Sequence, residues 1–150
     1  MKSYLLETDE KNSAIKIDDI HIYDEQYKAG NPYNTSINVM VRSGCFSGAG
    51  TFELDIANFC TFSRELYDLY NNLSGTVKLN DICYGAFLQF EPLDRLGHIQ
   101  ISGQVFGDGT VHSVEFEFRI DQTELRSFSS GLYADFGLLK GYETRAIYNQ

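Results

Sequence analysis

Apolar residues recur along this chain with two different periods, and the changes between them mark out its elements. Over the first third the period is two. Ile15 and Ile17, then Ile20 and Ile22, bracket Asp18-Asp19, a break that predicts a bulge or a slip of the strand from one face to the other. Lys28 to Asn34 is dense in turn formers and reads as a loop. Ile37, Val39 and Val41 alternate with Asn38, Met40 and Arg42. Phe52, Leu54 and Ile56 resume that alternation after Ser43 to Gly50, a glycine-rich stretch expected to be the flexible connection of an antiparallel hairpin.

The period then lengthens. Phe59, Phe62, Leu66, Leu69 and Leu73 fall three or four apart, one stripe of an amphipathic helix, with Asn58 placed to cap its start and Gly75 its end. Period two returns at Val77 and Leu79, at Phe87 to Phe90 before Pro92, and at Ile99, Ile101, Gly103 and Val105. Across the turn signal Gly107-Asp108-Gly109 it continues with Val114, Phe116, Phe118 and Ile120. Such strict alternation predicts one packed face and one wet face, the latter showing Glu115, Glu117 and Arg119 opposite Gln100, Ser102 and Gln104. Asp121-Gln122-Thr123-Glu124 has the spacing of a capping box, and Leu125, Phe128, Leu132 and Phe136 form a second helical stripe ending at Gly137.

Strands, helix, four strands, helix is not the regular alternation that parallel crossover units require. The predicted class is therefore α+β: a curved or split, mostly antiparallel sheet of about seven strands covered by two helices. Residues 1–150 are expected to form one domain, with 138–150 loose or adding an edge strand at Ala146-Ile147-Tyr148.

Composition agrees with a packed interior. The 150 residues are 43% hydrophobic and 22% charged, and a chain of that length buries about 70% of its unfolded surface. Neither a disulfide nor a metal is needed for stability. Cys45, Cys60 and Cys83 are odd in number and form no C-x-x-C pair, the pattern of reduced thiols in a cytosolic protein. The amino-terminal residues lack the apolar run of a signal peptide, and no run is long enough to span a membrane, so a cytoplasmic location is expected.

Charge narrows the choice of partner. Twenty-one acids against twelve bases leave −9. Glu7 to Glu25 alone holds Glu7, Asp9, Glu10, Asp18, Asp19, Asp24 and Glu25 against Lys11 and Lys16, seven against two, a net of −5. Such a field repels nucleic acid and anionic lipid and draws in basic partners, although plain solubility explains an acidic surface as well.

Candidate chemistry is sparse. His21, His98 and His112 show no metal-ligand spacing, and each reads as structural or superficial. Gly44-Cys45-Phe46-Ser47-Gly48 does not follow the order of a nucleophile elbow, and a glycine-dependent turn explains it. No glycine pattern matches a dinucleotide or phosphate loop. Glu115 and Glu117 would sit roughly 7 Å apart on one strand face, a span glycosidases use and solvated strands show routinely. No catalytic residue, metal or cofactor is expected.

Three segments carry a family likeness: Phe62 to Gly75; Gly97-His98-Ile99-Gln100-Ile101-Ser102-Gly103; and Val114 to Asp121 followed by Gln122-Thr123-Glu124-Leu125. Together, over roughly residues 50 to 136, they resemble the WapI-type immunity proteins of bacterial polymorphic and contact-dependent toxin systems. The resemblance implies a small cytosolic protein that neutralises a secreted toxin domain, often a nuclease, and is not an enzyme. It carries over no catalytic residues; Gly97 reads as a turn, Ile99 and Ile101 as core, Asp121 as a cap.

The expected partner is thus a cognate toxin domain with a basic surface, not nucleic acid or a membrane; a homodimer is permitted by the sequence but not indicated. Candidate contacts are the acids Asp18, Asp19, Asp24, Glu25, Glu115 and Glu117, and the aromatic anchors Tyr27, Tyr33, Tyr67 and Tyr70, whose plainer role is packing at the helix–sheet margin. Two other classes stay open: a small-molecule binding module with a pocket between curved sheet and helix, and an enzyme in which a cleft sets His98 or His112 beside Cys45 or a carboxylate.

Overall fold

In the computed structural model, which describes residues 2–142, the period-two segments form two sheets. β1 (Tyr4–Thr8), β2 (Ser13–Ile22), β3 (Thr35–Ser43) and β4 (Phe46–Leu54) pair antiparallel in chain order, and so do β5 (Val77–Asn80), β6 (Phe87–Pro92), β7 (His98–Gly107) and β8 (His112–Asp121). A short helix α1 (Asp24–Lys28) connects β2 to β3, and α2 (Ile56–Asn72) joins the sheets. α3 (Gln122–Leu132) follows β8 and runs into a π-helical turn at Tyr133–Gly137. The α+β class and the antiparallel pairing follow the sequence pattern, and the split into two sheets is the second of the two forms expected. Ala146-Ile147-Tyr148 lies outside the described residues.

Alternation is kept wherever one face is packed. Across the first sheet, Tyr4, Ile17, Val39 and Gly50 form one cross-strand row and Leu6, Ile15, Val41 and Gly48 the next, all facing the core. The break at Asp18-Asp19 is a bulge: Asp18 pairs with Asn38, but His21 then pairs with Ser36, and Asp19 takes φ 50°. The extra residue switches faces, so odd positions point inward before it, while even positions Ile20 and Ile22 pack against the core after it.

The stretch Ser43 to Gly50 differs from its expected form. Ser43 pairs with Phe46, so the turn is only Gly44-Cys45, and Gly44 supplies the positive φ of 66° that a tight hairpin needs. The remaining glycines lie inside β4 because the second sheet passes close by. A Cβ on Gly50 would stand 1.9 Å from the Phe106 carbonyl oxygen, and one on Gly48 would stand 2.8 Å from Val114 Cγ2. Flexibility and close approach write the same residue into a sequence.

α2 starts one turn before Asn58. Asp55 is the cap, its carboxylate accepting from the Ala57 N–H at 3.0 Å. At the other end the cap is Leu73, two residues before Gly75; it takes the left-handed conformation (φ 52°) and donates its N–H to the Leu69 carbonyl at 2.8 Å, while its side chain packs against the core. α3 begins as the spacing predicts: Glu124 reaches back to the Asp121 N–H at 2.9 Å and completes a capping box.

The interior is one continuous cluster drawn from both sheets and both long helices. Its centre is aromatic. Phe59 meets Phe136 at a ring separation of 4.8 Å, Phe62 meets Phe90 at 5.9 Å and Phe90 meets Phe128 at 6.3 Å. Each ring taken from water contributes about 1.5–3 kcal/mol. These rings occupy the space between sheet and helix in which a ligand pocket was conceivable. The amino-terminal strand is tied in where the Tyr4 hydroxyl donates to Asp135 at 2.5 Å and Lys2 pairs with the same carboxylate at 2.6 Å. No described helix is long and apolar enough to cross a membrane.

Candidate partner-docking surface

At one end of the first sheet, the outward residues beyond the bulge meet three connecting segments. Asp18 accepts from Asn38 at 2.9 Å and pairs with Lys16 at 3.5 Å. Asp19, thrown outward by the bulge, lies 2.9 Å from His21 Nε2. α1 follows at once with Asp24 and Glu25 exposed in its first turn. The bulge and the short helix thus form an acidic shelf, the stretch from Asp18 to Glu25, in which Asp19 and Tyr23 are linked through His21, its ring 6.5 Å from that of Tyr23.

Aromatics sit beside those acids. Tyr23 places its hydroxyl 3.4 Å from Ser36 Oγ, and Ser36 is the strand partner of Glu53. The Glu53 carbonyl accepts from the Ile82 N–H at 2.9 Å, and the Ile82 carbonyl accepts from the Tyr33 hydroxyl at 3.3 Å. Tyr84 stands two residues further along the same connection. Tyr23, Tyr33, Ile82 and Tyr84 are all exposed. An open cleft of about 370 Å³ runs past Ile82 between α2 and β5, with Asn58, Thr61, Glu65 and Lys78 along its walls.

Two buried polar side chains hold this surface in place. Asn34 Oδ1 accepts from the Ile56 N–H at 2.8 Å and from Thr35 Oγ1 at 3.0 Å, while Nδ2 donates to the Asn31 carbonyl at 2.9 Å. Its backbone carbonyl takes the Tyr23 N–H at 2.7 Å. Asp81 accepts three backbone N–H groups: Glu53 at 2.8 Å, Cys83 at 3.1 Å and Tyr84 at 3.0 Å. One residue ties α1 and β3 to the start of α2; the other ties the Ile82–Tyr84 loop to β4. A buried polar group must be satisfied, so each hub fixes the backbone that satisfies it.

The other sequence candidates lie elsewhere or are already engaged. Tyr27 is half-buried, its ring 4.9 Å from that of Tyr142. The Tyr142 hydroxyl donates to Asp24, and that bond followed by burial pushes its pKa up to about 12. Asp24 is therefore partly committed within the chain. Tyr67 stacks on Tyr133 at 4.3 Å, and Tyr70 packs against the core while its carbonyl accepts from Gln122 at 2.6 Å. Glu115 and Glu117 are exposed on the outer face of β8, in the other sheet, where Glu117 accepts from Gln100 at 2.7 Å. Sequence reasoning missed Tyr23, Ile82 and Tyr84, and both hubs. Asp81-Ile82-Cys83-Tyr84-Gly85 was visible only as a gap between strands.

One histidine does meet a carboxylate. His98 Nδ1 lies 2.6 Å from Asp94, and Nε2 lies 3.9 Å from Asp121, at the rim of an open cleft of about 430 Å³ walled by Thr8, Asp9, Glu10, Arg119 and Glu124. The hydrogen bond to Asp94 raises the pKa of His98, and the same bond lowers that of Asp94. Such a pair can hold or move a proton, but the walls bring no thiol, and their carboxylates outnumber Arg119. Cys45 is at the β3–β4 turn; Cys60 is buried, and burial raises its pKa. Among the described residues no three histidine, cysteine or acidic side chains are grouped to hold a metal ion.

A sequence-family model described as the immunity protein WapI-like family matches residues 8–139. The match takes in the first third of the chain, where no likeness was legible by motif. No curated protein matches the chain at a significant level.

Proposed function

Because the chain belongs to the WapI-like immunity protein family, we propose that it neutralises a cognate bacterial toxin domain in the cytosol by binding it, and that the toxin presents a basic, nuclease-like surface. What supports the reading beyond the family is the run of acids Asp18, Asp19, Asp24 and Glu25 along one stretch of chain that also carries the exposed Tyr23. A surface that grips phosphates is basic, and an acidic inhibitor occupies it by presenting like charge to the same groups. Long-range attraction speeds encounter, so association with such a toxin slows as salt rises.

The test is co-expression with the carboxy-terminal domains of large secreted modular proteins from the same genome, beginning with any encoded next to this chain. Rescue from growth arrest and co-purification with one of them are expected, with an association rate that falls steeply between low and physiological ionic strength. A set of such domains none of which is toxic, or whose toxicity this chain leaves untouched, overturns the proposal. Rescue with a salt-independent association rate retains neutralisation and removes the basic partner surface.

A further inference from the structure

The aromatic end of the shelf carries more than the charges around it. We infer that Tyr23, Tyr33 and Tyr84, with Ile82, form the energetic centre of the toxin-binding interface and receive cationic side chains of the partner over their rings. This rests on the toxin-neutralising reading above and names the part of the surface that does the holding.

The argument begins with exposure. Tyr23 is 49% exposed, Tyr33 45%, Tyr84 54% and Ile82 38%. A tyrosine side chain buries on the order of 200 Å² when fully covered. Three half-exposed rings and Ile82 therefore leave roughly 350–400 Å² open, within the 300–600 Å² of the largest patch on an ordinary monomer. That is also about half of the roughly 800 Å² each partner contributes to a stable interface. The patch is large enough for an interface core and small enough to remain soluble within an acidic rim.

The patch is also preorganised. Asn34 and Asp81 fix the backbone on both sides, so binding does not have to order these loops first. The Tyr84 side chain makes no hydrogen bond or ring contact among the described residues, and packing inside the chain does not explain its presence.

The occupant follows from the chemistry of the rim. Asp19 reaches Tyr23 through His21, Asp24 and Glu25 directly follow Tyr23 in the chain, and Glu53 holds the Ile82 N–H with its carbonyl. Aromatic faces attract cations, and carboxylates at their edge select cationic over neutral or anionic visitors; guanidinium groups satisfy both at once. Phe46, Val111 and Leu96 are more exposed still. Val111 and Leu96 stand on a turn and a loop and Phe46 opens β4, and Phe46 and Val111 neighbour the tips of the β3–β4 and β7–β8 hairpins rather than the acidic shelf.

The test uses the full chain and the toxin domain that the co-expression experiment identifies. Binding is followed by surface plasmon resonance for the wild type, Tyr84→Ala, Tyr33→Ala, the double variant, Tyr33→Phe and Phe46→Ser/Val111→Ser. Each single alanine is expected to raise Kd about tenfold or more, chiefly through faster dissociation, and the double variant a hundredfold or more, while Tyr33→Phe stays within threefold. Unchanged thermal unfolding of Tyr84→Ala separates lost contact from lost fold. Wild-type binding that survives the double variant within threefold, or that only the hairpin-tip variant abolishes, overturns the inference and leaves neutralisation standing. Absence of wild-type binding removes both.

Discussion

Replacing Asp81 by alanine tests whether the loop bearing Ile82 and Tyr84 is held by a single buried carboxylate. Its Oδ1 accepts from Glu53 and Cys83 N–H groups at 2.8 and 3.1 Å, and its Oδ2 from Tyr84 at 3.0 Å, while the residue is 3% exposed. Alanine removes all three acceptors. Cys83 and Tyr84 are exposed, so water restores most of what their N–H groups lose; Glu53 is half-buried and regains less. A hydrogen bond to a charged group contributes about 1.5–3 kcal/mol net, and loss of one such bond with two partly rehydrated ones amounts to about 3 kcal/mol. With a urea slope of about 2 kcal/mol per M, the unfolding midpoint should fall by about 1.5 M. Asp81→Asn should fall between, because its carbonyl replaces Oδ1 while its NH2 group opposes the Tyr84 N–H. Urea titration followed by far-ultraviolet circular dichroism measures the midpoint, and amide exchange at Ile82 to Tyr84 reports local loosening. A midpoint within about 0.3 M of the wild type would refute the hub.

Further outcomes follow from single contacts. Gly50→Ala puts a Cβ 1.9 Å from the Phe106 carbonyl oxygen, where only a shift of one sheet against the other makes room; a loss of about 3 kcal/mol or failure to fold is expected, and a melting temperature within a few degrees of the wild type contradicts the close approach. The Asp94–His98 pair is strongest between the ordinary carboxylate and imidazole pKa values of 3.8 and 6.5. Its contribution fades as pH rises through the raised value of His98, and again as pH falls through the lowered value of Asp94. In a nuclear magnetic resonance titration, Asp94→Asn should move the His98 midpoint downward, and an unmoved midpoint denies the coupling. Cys45 and Cys83 are exposed and Cys60 is buried with a raised pKa, so a thiol reagent should modify two groups quickly and the third only on unfolding; three equal rates in the native protein contradict the burial.

The fold was legible where one physical demand acts alone. Period-two alternation recovered the long strands because a single buried face dictates it, and Leu125, Phe128, Leu132 and Phe136, all buried in the structure, were found by their helical spacing. The bulge at Asp18-Asp19 showed as a change of parity. Errors fell where two demands write the same residue. Glycines at 48 and 50 looked like a loop because turn freedom and close backbone approach both call for glycine. Asp55 was passed over as a cap because Asn58 is an equally good capping residue, and the bond from the Ile56 N–H to Asn34, which fixes where α2 begins, is remote in sequence. The five-residue β1 is too short for its alternation to stand out.

The candidate surface divides along the same line. Its acids were visible because charge density is a local property: Asp18, Asp19, Asp24 and Glu25 fall within eight residues of each other. Its aromatics were only half visible, since a tyrosine's exposure depends on what packs over it. Tyr27 and Tyr70, chosen from sequence, turn toward the core, whereas Tyr23 and Tyr84, not chosen, remain open. What separates the two groups is the pair of buried polar residues. Asn34 and Asp81 spend their hydrogen bonds on backbone rather than on each other, and so hold connections from four places in the chain against one sheet end. Apolar packing does less here, because Tyr23, Tyr33, Ile82 and Tyr84 in those connections stay exposed. Satisfying two buried polar groups fixes the loops while leaving their rings in water, a condition that favours rapid capture by charge and slow release by aromatic contact.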